Sequence, residues 1–330
     1  MVETDVHYPT DINLLFDAIR KVVTLVAREC EKHGIAGWRQ SEHTVRTMKR
    51  LYRRAQQAKR SRARSAKRLR RREREIRDAH KRYTDEAQTL CRKARGAVEQ
   101  LQRVDDFATT ATVYEIENYL GHAERQIDQI RRRVLEGERI PHDEKVFSIF
   151  EPHTEWISKG KAGVPQELGL KTCIVEDRYG FILHHRVMQT TDDVAIAVPI
   201  IEETKRLFPA LTQCSFDKGF YSAENKRKLE SVLDTVVLPK KGGRAEGGRP
   251  EEAEPEFVAA RKSHSGVESA INALENHGLD RCPDHGLPGF ERYVALAVLA
   301  RNIQVLGTLL WKQDQHHPRS KPPPARAVCV

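Results

Sequence analysis

Apolar residues recur at helical spacing through the first 140 positions of the chain. One stripe, spaced by three and four, predicts a first helix that Asp11 caps and that Gly34 and Gly37 end. A second stripe recurs every seven residues at Leu69, Ile76, Tyr83, Leu90, Ala97 and Val104. A third stripe runs from Tyr114 to Val134, and the residues at 104–112 before it predict a turn. The last two stripes therefore predict a coiled-coil arm or a helical hairpin with antiparallel helices.

After Pro141 the pattern alternates between apolar and polar positions, which is typical of strands. Strands are predicted at 145–151, 168–177 and 180–190, with a tight turn from Asp177 to Gly180, and shorter ones at 212–220 and 234–240. Helices are predicted at 192–208, capped by Asp192 or Asp193, and at 222–233, around Glu268 and at 290–311. This order of strands and helices predicts a mixed α/β domain.

Positive charge is concentrated in one segment of the chain. The sequence has 57 Lys and Arg against 47 Asp and Glu, a net charge of +10. Residues 46–82 hold eighteen basic and three acidic residues, a net of +15, so the remaining chain sums to −5. Because such a helix repels itself, we expect a polyanion to bind it, and Arg70, Arg71 and Arg72 are candidate DNA contacts. The alternative is a solvated helix face.

Other sequence features point to a cytoplasmic protein. The N-terminus shows no basic region followed by an apolar stretch, so we expect no secretory signal. The longest apolar run, Val294–Ala300, is far shorter than the ~20 residues of a spanning helix, so we expect no membrane partner. The six cysteines have no metal-ligand spacing and predict reduced thiols.

Two carboxylates are candidates for metal chemistry. Asp217 ends an apolar strand and precedes Lys218 and a glycine turn, and Glu268 lies beside the apolar stripe of a predicted helix. Two such groups suit Mg²⁺, or Mn²⁺, which prefer oxygen ligands and act on phosphodiesters in pairs. Their structural alternatives are a turn cap for Asp217 and a surface salt bridge for Glu268.

Basic residues surround the two acids along the sequence. The candidates for phosphate contact are Lys218, Lys240, Lys241, Arg261 and Lys262. The alternative is that these side chains are solvated at the edges of loops.

Several segments together resemble one protein family. They include Phe216-Asp217-Lys-Gly-Phe-Tyr-Ser and Lys262-Ser-His-Ser-Gly-Val-Glu268, with further matches at residues 2–15, 148–156, 160–161, 167–171, 277–286 and 299–303. In this order they resemble the DDE transposases of bacterial insertion sequences, over roughly residues 1–312. The resemblance implies a ribonuclease H-like sheet flanked by helices and interrupted by a helical insertion. It also implies that an Asp, a second Asp and a Glu bind two Mg²⁺ ions, cut the element's ends and join them to target DNA.

Carried over residue by residue, the resemblance makes Asp217 the second Asp and Glu268 the final Glu. The family's first Asp lies in an Asp-x-Thr strand directly before the Val-Glu-Thr segment, where this sequence has Met1. Glu3, Asp5 and Glu151 do not match that position. We therefore expect severely reduced or absent strand-transfer activity from these 330 residues.

The resemblance also suggests a division of the chain. Residues 1–40 and 141–312 are predicted to form the catalytic domain, 41–140 a basic helical insertion and 313–330 a disordered tail. Two alternatives stay open. The first is a non-catalytic DNA-binding remnant that self-associates with an intact enzyme through the helical arm, and the second is a basic coiled-coil scaffold for RNA.

Overall fold

The computed structural model describes residues 1–6, 10–60, 65–158, 166–240, 255, 257–259 and 271–316. The fold is mixed α/β, as predicted, and most of its regular structure is helical. The chain forms two compact units. One contains Val6–Pro152, and the other contains Met1–Asp5 together with His153–Val330.

The first unit is a bundle of four helices. They are α1 (Asp11–Lys32), α2 (Ser41–Arg60), α3 (Ala66–Leu101) and α4 (Phe107–Ile130), which a π-helical turn at Arg131–Glu136 extends. The predicted apolar stripes face inward, and Tyr83, Leu90 and Ala97 of the seven-residue repeat are buried. Helix α1 contributes buried residues to this same core, whereas the prediction places residues 1–40 in the catalytic domain. The compact units therefore divide after residues 5 and 152, and the predicted domains divide after residues 40 and 140.

The basic segment forms two helices, α2 and α3, that pack against each other. Nothing in the sequence indicates a break near residue 60, because the segment contains no Gly or Pro and the seven-residue stripe begins only at Leu69. Helix α2 buries only Met48 and Ala55 among its side chains. Val45, Leu51 and Tyr52 pack half-buried against the same core, so the exposed cations of α2 lie beside a narrow apolar stripe.

An aromatic cluster attaches α2 to its neighbours. The Tyr52 ring stacks on Phe16 of α1, with 5.3 Å between centroids, and lies 6.5 Å from Tyr83 of α3. The Tyr52 hydroxyl donates to Asn13 Oδ1 at 2.8 Å, and the buried Tyr83 hydroxyl donates to the Ile12 carbonyl at 3.0 Å. Because both hydroxyls reach α1, the buried Tyr83 and the half-buried Tyr52 pack their rings without leaving a polar group unpaired.

The ends of two helices differ from the prediction. Thr10, not Asp11, caps α1, since its Oγ1 accepts the Asn13 N–H at 3.4 Å. Asp11 is the first helical residue and instead forms an ion pair with Arg133 at 2.8 Å. The predicted turn at 104–112 is shorter, because Asp106 accepts the Thr109 N–H at 3.1 Å and starts α4 at Phe107.

The second unit is built on a five-stranded sheet. Its strands are β1 (Val2–Thr4), β2 (Glu155–Ser158), β3 (Gln166–Glu176), β4 (Ile182–Met188) and β7 (Arg281–Cys282). Strand β3 is antiparallel to β1, β2 and β4, whereas β7 is parallel to β1. Strands β5 (Gln213–Ser215) and β6 (Thr235–Val237) form a separate parallel pair. The helices are α5 (Asp193–Leu207), α6 (Ala223–Val232) and α7 (Gly286–His316).

One predicted strand is wrong and the others in the described residues are confirmed. Residues 145–151 are irregular, because Ser148 Oγ accepts the N–H groups of Phe150 and Glu151 and bends the chain. The strand starts later, at Glu155. Asp192 caps α5 by accepting the Ala195 N–H at 2.7 Å. Glu268 and the first part of the helix predicted around it lie outside the described residues, and the end of that segment, residues 271–279, is helical. Most of the predicted tail, residues 317–330, also lies outside them, and 313–316 are helical.

Helix α7 supports the outer edge of β4. The Asn302 side-chain amide accepts the Ile182 N–H at 2.8 Å and donates to the Ile182 carbonyl at 2.9 Å, as a neighbouring strand would. Of the helices that the structure describes, α7 alone is long and apolar enough to cross a membrane, a criterion that core helices of soluble proteins also meet. Only 22% of its most apolar stretch is buried.

Replacing Gly169 with Ala should disrupt the pairing of β1 with β3. A Cβ at this position would lie 2.0 Å from the Val2 carbonyl oxygen and 2.8 Å from Glu3 Cα, and backbone cannot move aside as a side chain can. We expect a loss of more than ~2 kcal/mol in the free energy of unfolding, measured by urea denaturation. The control is Gly96→Ala in α3, where a Cβ meets open space and should stabilise by up to ~1 kcal/mol. Equal stability of the two variants would contradict this packing.

Acid should weaken the bundle through His80. The ring is fully buried, with its Nδ1–H donating to the Ile76 carbonyl at 2.8 Å, and a proton on the buried Nε2 would find no acceptor among the described residues, so the neutral form fits. Burial lowers the pKa of His80, and together with the charges of Lys59 and Arg133 it outweighs the hydrogen bond to Ile76 and the charge of Asp11, which raise it. Below the ordinary histidine pKa of ~6.5 the unfolded chain therefore takes up a proton that the folded chain refuses, and stability falls as pH falls.

The measurement is the urea midpoint at pH 7 and pH 5. We expect His80→Leu to reduce the loss of stability between these pH values, and His43→Leu, at an exposed position on α2, to leave it unchanged. An identical pH dependence for His80→Leu and the parent chain would contradict the assignment.

Candidate nucleic-acid interface and carboxylate site

The exposed face of α2 is a continuous basic surface. One shallow depression is lined by Arg46, Lys49, Arg50, Arg53, Arg54 and Gln57, and the five cations are all exposed. Among the ion pairs of the described residues, this set forms one, between Arg46 and Glu42 at 3.1 Å. Because that pair is exposed, it neutralises little of the surface charge. A helix of this length spans ~30 Å, so successive cations can follow a phosphate backbone.

The three predicted arginines of α3 have different roles. Arg70 and Arg71 are exposed, and Arg71 pairs with Glu75 at 2.8 Å. Arg72 is half-buried, and its Nη2 donates to the Lys59 carbonyl at 2.7 Å. Arg72 therefore connects α3 to the last turn of α2, which sequence reasoning missed because an arginine run gives no signal for which member turns inward.

Asp217 lies at the carboxyl end of β5. Its Oδ1 accepts the Lys218 N–H at 2.7 Å and starts a 3₁₀ turn at Lys218–Phe220. Asp217 and Lys218 are both exposed. The carboxylate therefore caps the turn, as the structural alternative proposed, and also faces solvent, where a cation or a phosphate could approach.

A second acid lies against the same turn. A Cβ on Gly219 would lie 2.8 Å from Asp193 Oδ2, so the glycine makes room for the Asp193 carboxylate. Asp193 is the first residue of α5, and its Oδ1 accepts a hydrogen bond from Lys171 Nζ of β3 at 3.1 Å. The sequence suggested Asp193 only as a helix cap. In the sequence, only the glycine after Lys218 indicates that another group, here the Asp193 carboxylate, lies close to this turn.

Lys240 shares the sheet edge with Asp217. Strands β5 and β6 are parallel, with Ser215 paired to Val237, so the residues that follow them leave the same edge. Lys240 is exposed there. Glu268, Lys241, Arg261 and Lys262 lie outside the described residues, so the structure gives no position for these predicted partners of Asp217.

The described residues alone do not fit a metal ion. Within the described ranges, no group of three or more His, Cys, Asp or Glu side chains could hold one. Asp217 supplies a single carboxylate, and Asp193 is engaged by Lys171. The predicted magnesium site thus depends on Glu268.

The other acids near the expected first-Asp position have partners or are enclosed. Asp5 forms an ion pair with Arg281 at 2.6 Å. Glu3 lies within β1, between β3 and β7. Glu151 is buried, with 5% of its surface exposed, in the helical unit. In the described part of the chain, none of the three belongs to a metal-binding group.

Comparisons of the chain with protein-family models, with curated proteins and with solved structures find no match.

Replacing arginines of α2 should weaken polyanion binding in a salt-dependent way. For the variant in which Arg46, Arg50, Arg53 and Arg54 become Gln, we expect lower affinity for duplex DNA and a slope of log K against log salt smaller by about 3 to 4, because each lost phosphate contact removes about 0.9. Fluorescence anisotropy over a salt series measures both quantities.

The control removes the same charge elsewhere on the bundle. It replaces Arg92, Arg103, Arg125 and Arg139, all exposed, with Gln. This variant should keep the parent salt slope to within one unit. An equal decrease in both variants would mean that net charge, and not the α2 surface, determines binding.

Proposed function

We propose that the chain is a DNA-binding protein of the DDE transposase class, acting on the ends of a mobile element and on target DNA. Its metal would be Mg²⁺, or Mn²⁺, held by Asp217 and Glu268. The single observation that carries the proposal is the basic surface of α2 and α3. We also propose a cytoplasmic location without a membrane partner, because the ligand is DNA.

The basic surface supports the DNA-binding half of the proposal. Its cations are exposed, lie on adjacent helices and are opposed by few acids. Such a surface neutralises phosphates along a backbone and positions the nucleic acid without reading its bases. The surface suits a polyanion, and the resemblance makes duplex DNA the proposed one, with sequence preference coming from other parts of the protein.

The organisation of the sheet unit supports the catalytic half. Its residues come from both sides of the helical unit, since Met1–Asp5 and the chain after His153 cluster together. A helical insertion between β1 and β2 would produce this order. Asp217 and Lys240 leave one edge of a parallel strand pair, the position at which open α/β sheets place their sites.

The activity of the 330 residues is a separate part of the proposal. Asp217 and Glu268 are two of the three carboxylates that the resemblance implies, and a two-ion site without its third ligand loses metal affinity and geometry. We therefore propose that DNA binding does not require the third carboxylate and that strand transfer does. The non-catalytic DNA-binding remnant is the second candidate, because the basic surface of α2 supports DNA binding without any carboxylate.

The decisive experiment compares this chain with an extended variant carrying an Asp-x-Thr segment directly before Val2. The substrate is DNA bearing the sequences that flank the gene, and Mg²⁺-dependent cleavage is measured beside DNA binding. Both proteins should bind, and the 330-residue chain should cleave at least ~100-fold more slowly because it lacks one ligand. In the extended variant, Asp217→Asn or Glu268→Gln should abolish cleavage and leave binding unchanged.

The matched control is Glu230→Gln in the extended variant. Glu230 is an exposed carboxylate on α6, and its replacement should leave both cleavage and DNA binding unchanged. Equal cleavage by the short and extended chains would overturn the role of the first Asp. An extended chain that binds DNA and never cleaves would favour the remnant. Tight RNA binding that ignores both carboxylate substitutions, without binding to duplex DNA, would favour the RNA scaffold.

A further inference from the structure

Helix α7 has an apolar side that the described residues leave exposed. One side of the helix packs on the sheet unit through Phe290, Val294, Val298 and Val305. The opposite side carries the α7 seam, defined as Leu296, Leu299, Ile303, Leu306 and Leu310. These five side chains are 48–60% exposed.

The spacing within the seam is that of a coiled coil. Its residues follow one another at intervals of three, four, three and four, which corresponds to alternating a and d positions over two heptads. Leu296, Ile303 and Leu310 take the a positions, and Leu299 and Leu306 take the d positions. Such a stripe is complementary to another helix, because the side chains of each helix fit between those of its partner.

The neighbours of the seam favour close approach of a helix. Ala300 and Gly307, the residues after each d position, are exposed and small, so they leave room for a second backbone. From 293 to 311 the helix has one charged residue, Arg301. That side chain is half-buried, lies near Gly180 and interacts with Glu176, on the side away from the seam. Uncharged partners are therefore favoured over nucleic acid or acidic peptides.

We propose that a second copy of this chain occupies the seam and that the two α7 helices pair in parallel. In that arrangement each of the five residues faces its own copy and forms a complete apolar layer. An antiparallel pairing matches a with d positions and gives at most four such layers, with Leu296 opposite the polar Gln313 or Leu310 opposite Arg292. A β-branched residue at the central a position with Leu at both d positions favours a parallel two-stranded pair.

This interaction is independent of the proposed function and differs from self-association through the basic arm. The α2 and α3 surfaces carry like charges and repel a second copy, whereas the seam carries none. Burial of five apolar side chains from each copy provides the favourable free energy of association.

Sedimentation velocity of the full chain over a range of concentrations tests the proposal. The parent chain should dimerise, and Leu299→Lys with Leu306→Lys should raise the dissociation constant at least ~100-fold, because charge then enters both d layers. The matched control is Thr308→Lys with Gln315→Lys, which adds the same charge at exposed positions off the seam. Circular dichroism verifies that each variant keeps its helical content.

Disulfide cross-linking tests the orientation, with Cys329→Ser in every chain. In a parallel pair, Leu296→Cys lies opposite itself and should cross-link under oxidation. In an antiparallel pair Leu296 faces Leu306 or Gln313, depending on the register, and Leu296→Cys would cross-link only when Leu306→Cys or Gln313→Cys is also present.

Three outcomes would overturn the proposal. A parent chain that stays monomeric would mean that its own residues cover the seam. Flotation of the monomer with lipid vesicles, lost in the lysine variant, would assign the seam to a membrane. Cross-linking that requires both cysteines would contradict parallel pairing.

Discussion

The packing of Tyr52 between α1 and α3 is the contact on which the basic surface depends. Helix α2 carries a dense row of cations and packs on the bundle through a narrow apolar stripe, in which Met48 and Ala55 are buried and Val45, Leu51 and Tyr52 are half-buried. Stacking on Phe16, contact with Tyr83 and a hydrogen bond to Asn13 make Tyr52 the most specific contact of this stripe. The rest of the bundle, with α1, α3 and α4 around one apolar core, provides a rigid support against which like charges are held together.

The basic surface and the candidate carboxylates lie in different units of the chain. The basic surface belongs to the helical unit, whereas Asp217, Asp193 and Lys171 belong to the sheet unit. The sheet unit holds 24 basic and 25 acidic residues, a net charge of −1, so the positive charge of the chain belongs to the helical unit. A protein organised in this way can hold a polyanion with one unit and present a strand-end carboxylate from the other.

Much of the fold could be predicted from the sequence, because strong periodicity decides which face is buried. The stripes of α1, α3 and α4, the turn at Asp177 and the strands β3 to β6 all follow from local pattern. The break between α2 and α3 could not be predicted, since no Gly or Pro marks it and tertiary packing decides it. The irregular segment at Ser148 was missed for a different reason, because a side-chain hydrogen bond competes there with strand pairing. At the candidate site, the turn at Asp217 was predictable because it follows a strand. The contact between Asp193 and Gly219 was not, because it depends on how α5 packs against this turn in three dimensions, and sequence periodicity carries no such information.

Hydrogen–deuterium exchange of the full chain, with and without duplex DNA, tests the central claim most directly. The account predicts that DNA protects exposed amides and slows local opening in α2 and in the first half of α3, while α4 and its π-helical turn exchange as before. Protection confined to α4 or to the sheet unit, or an unchanged pattern at saturating DNA, would contradict the claim that the α2–α3 surface is the nucleic-acid interface.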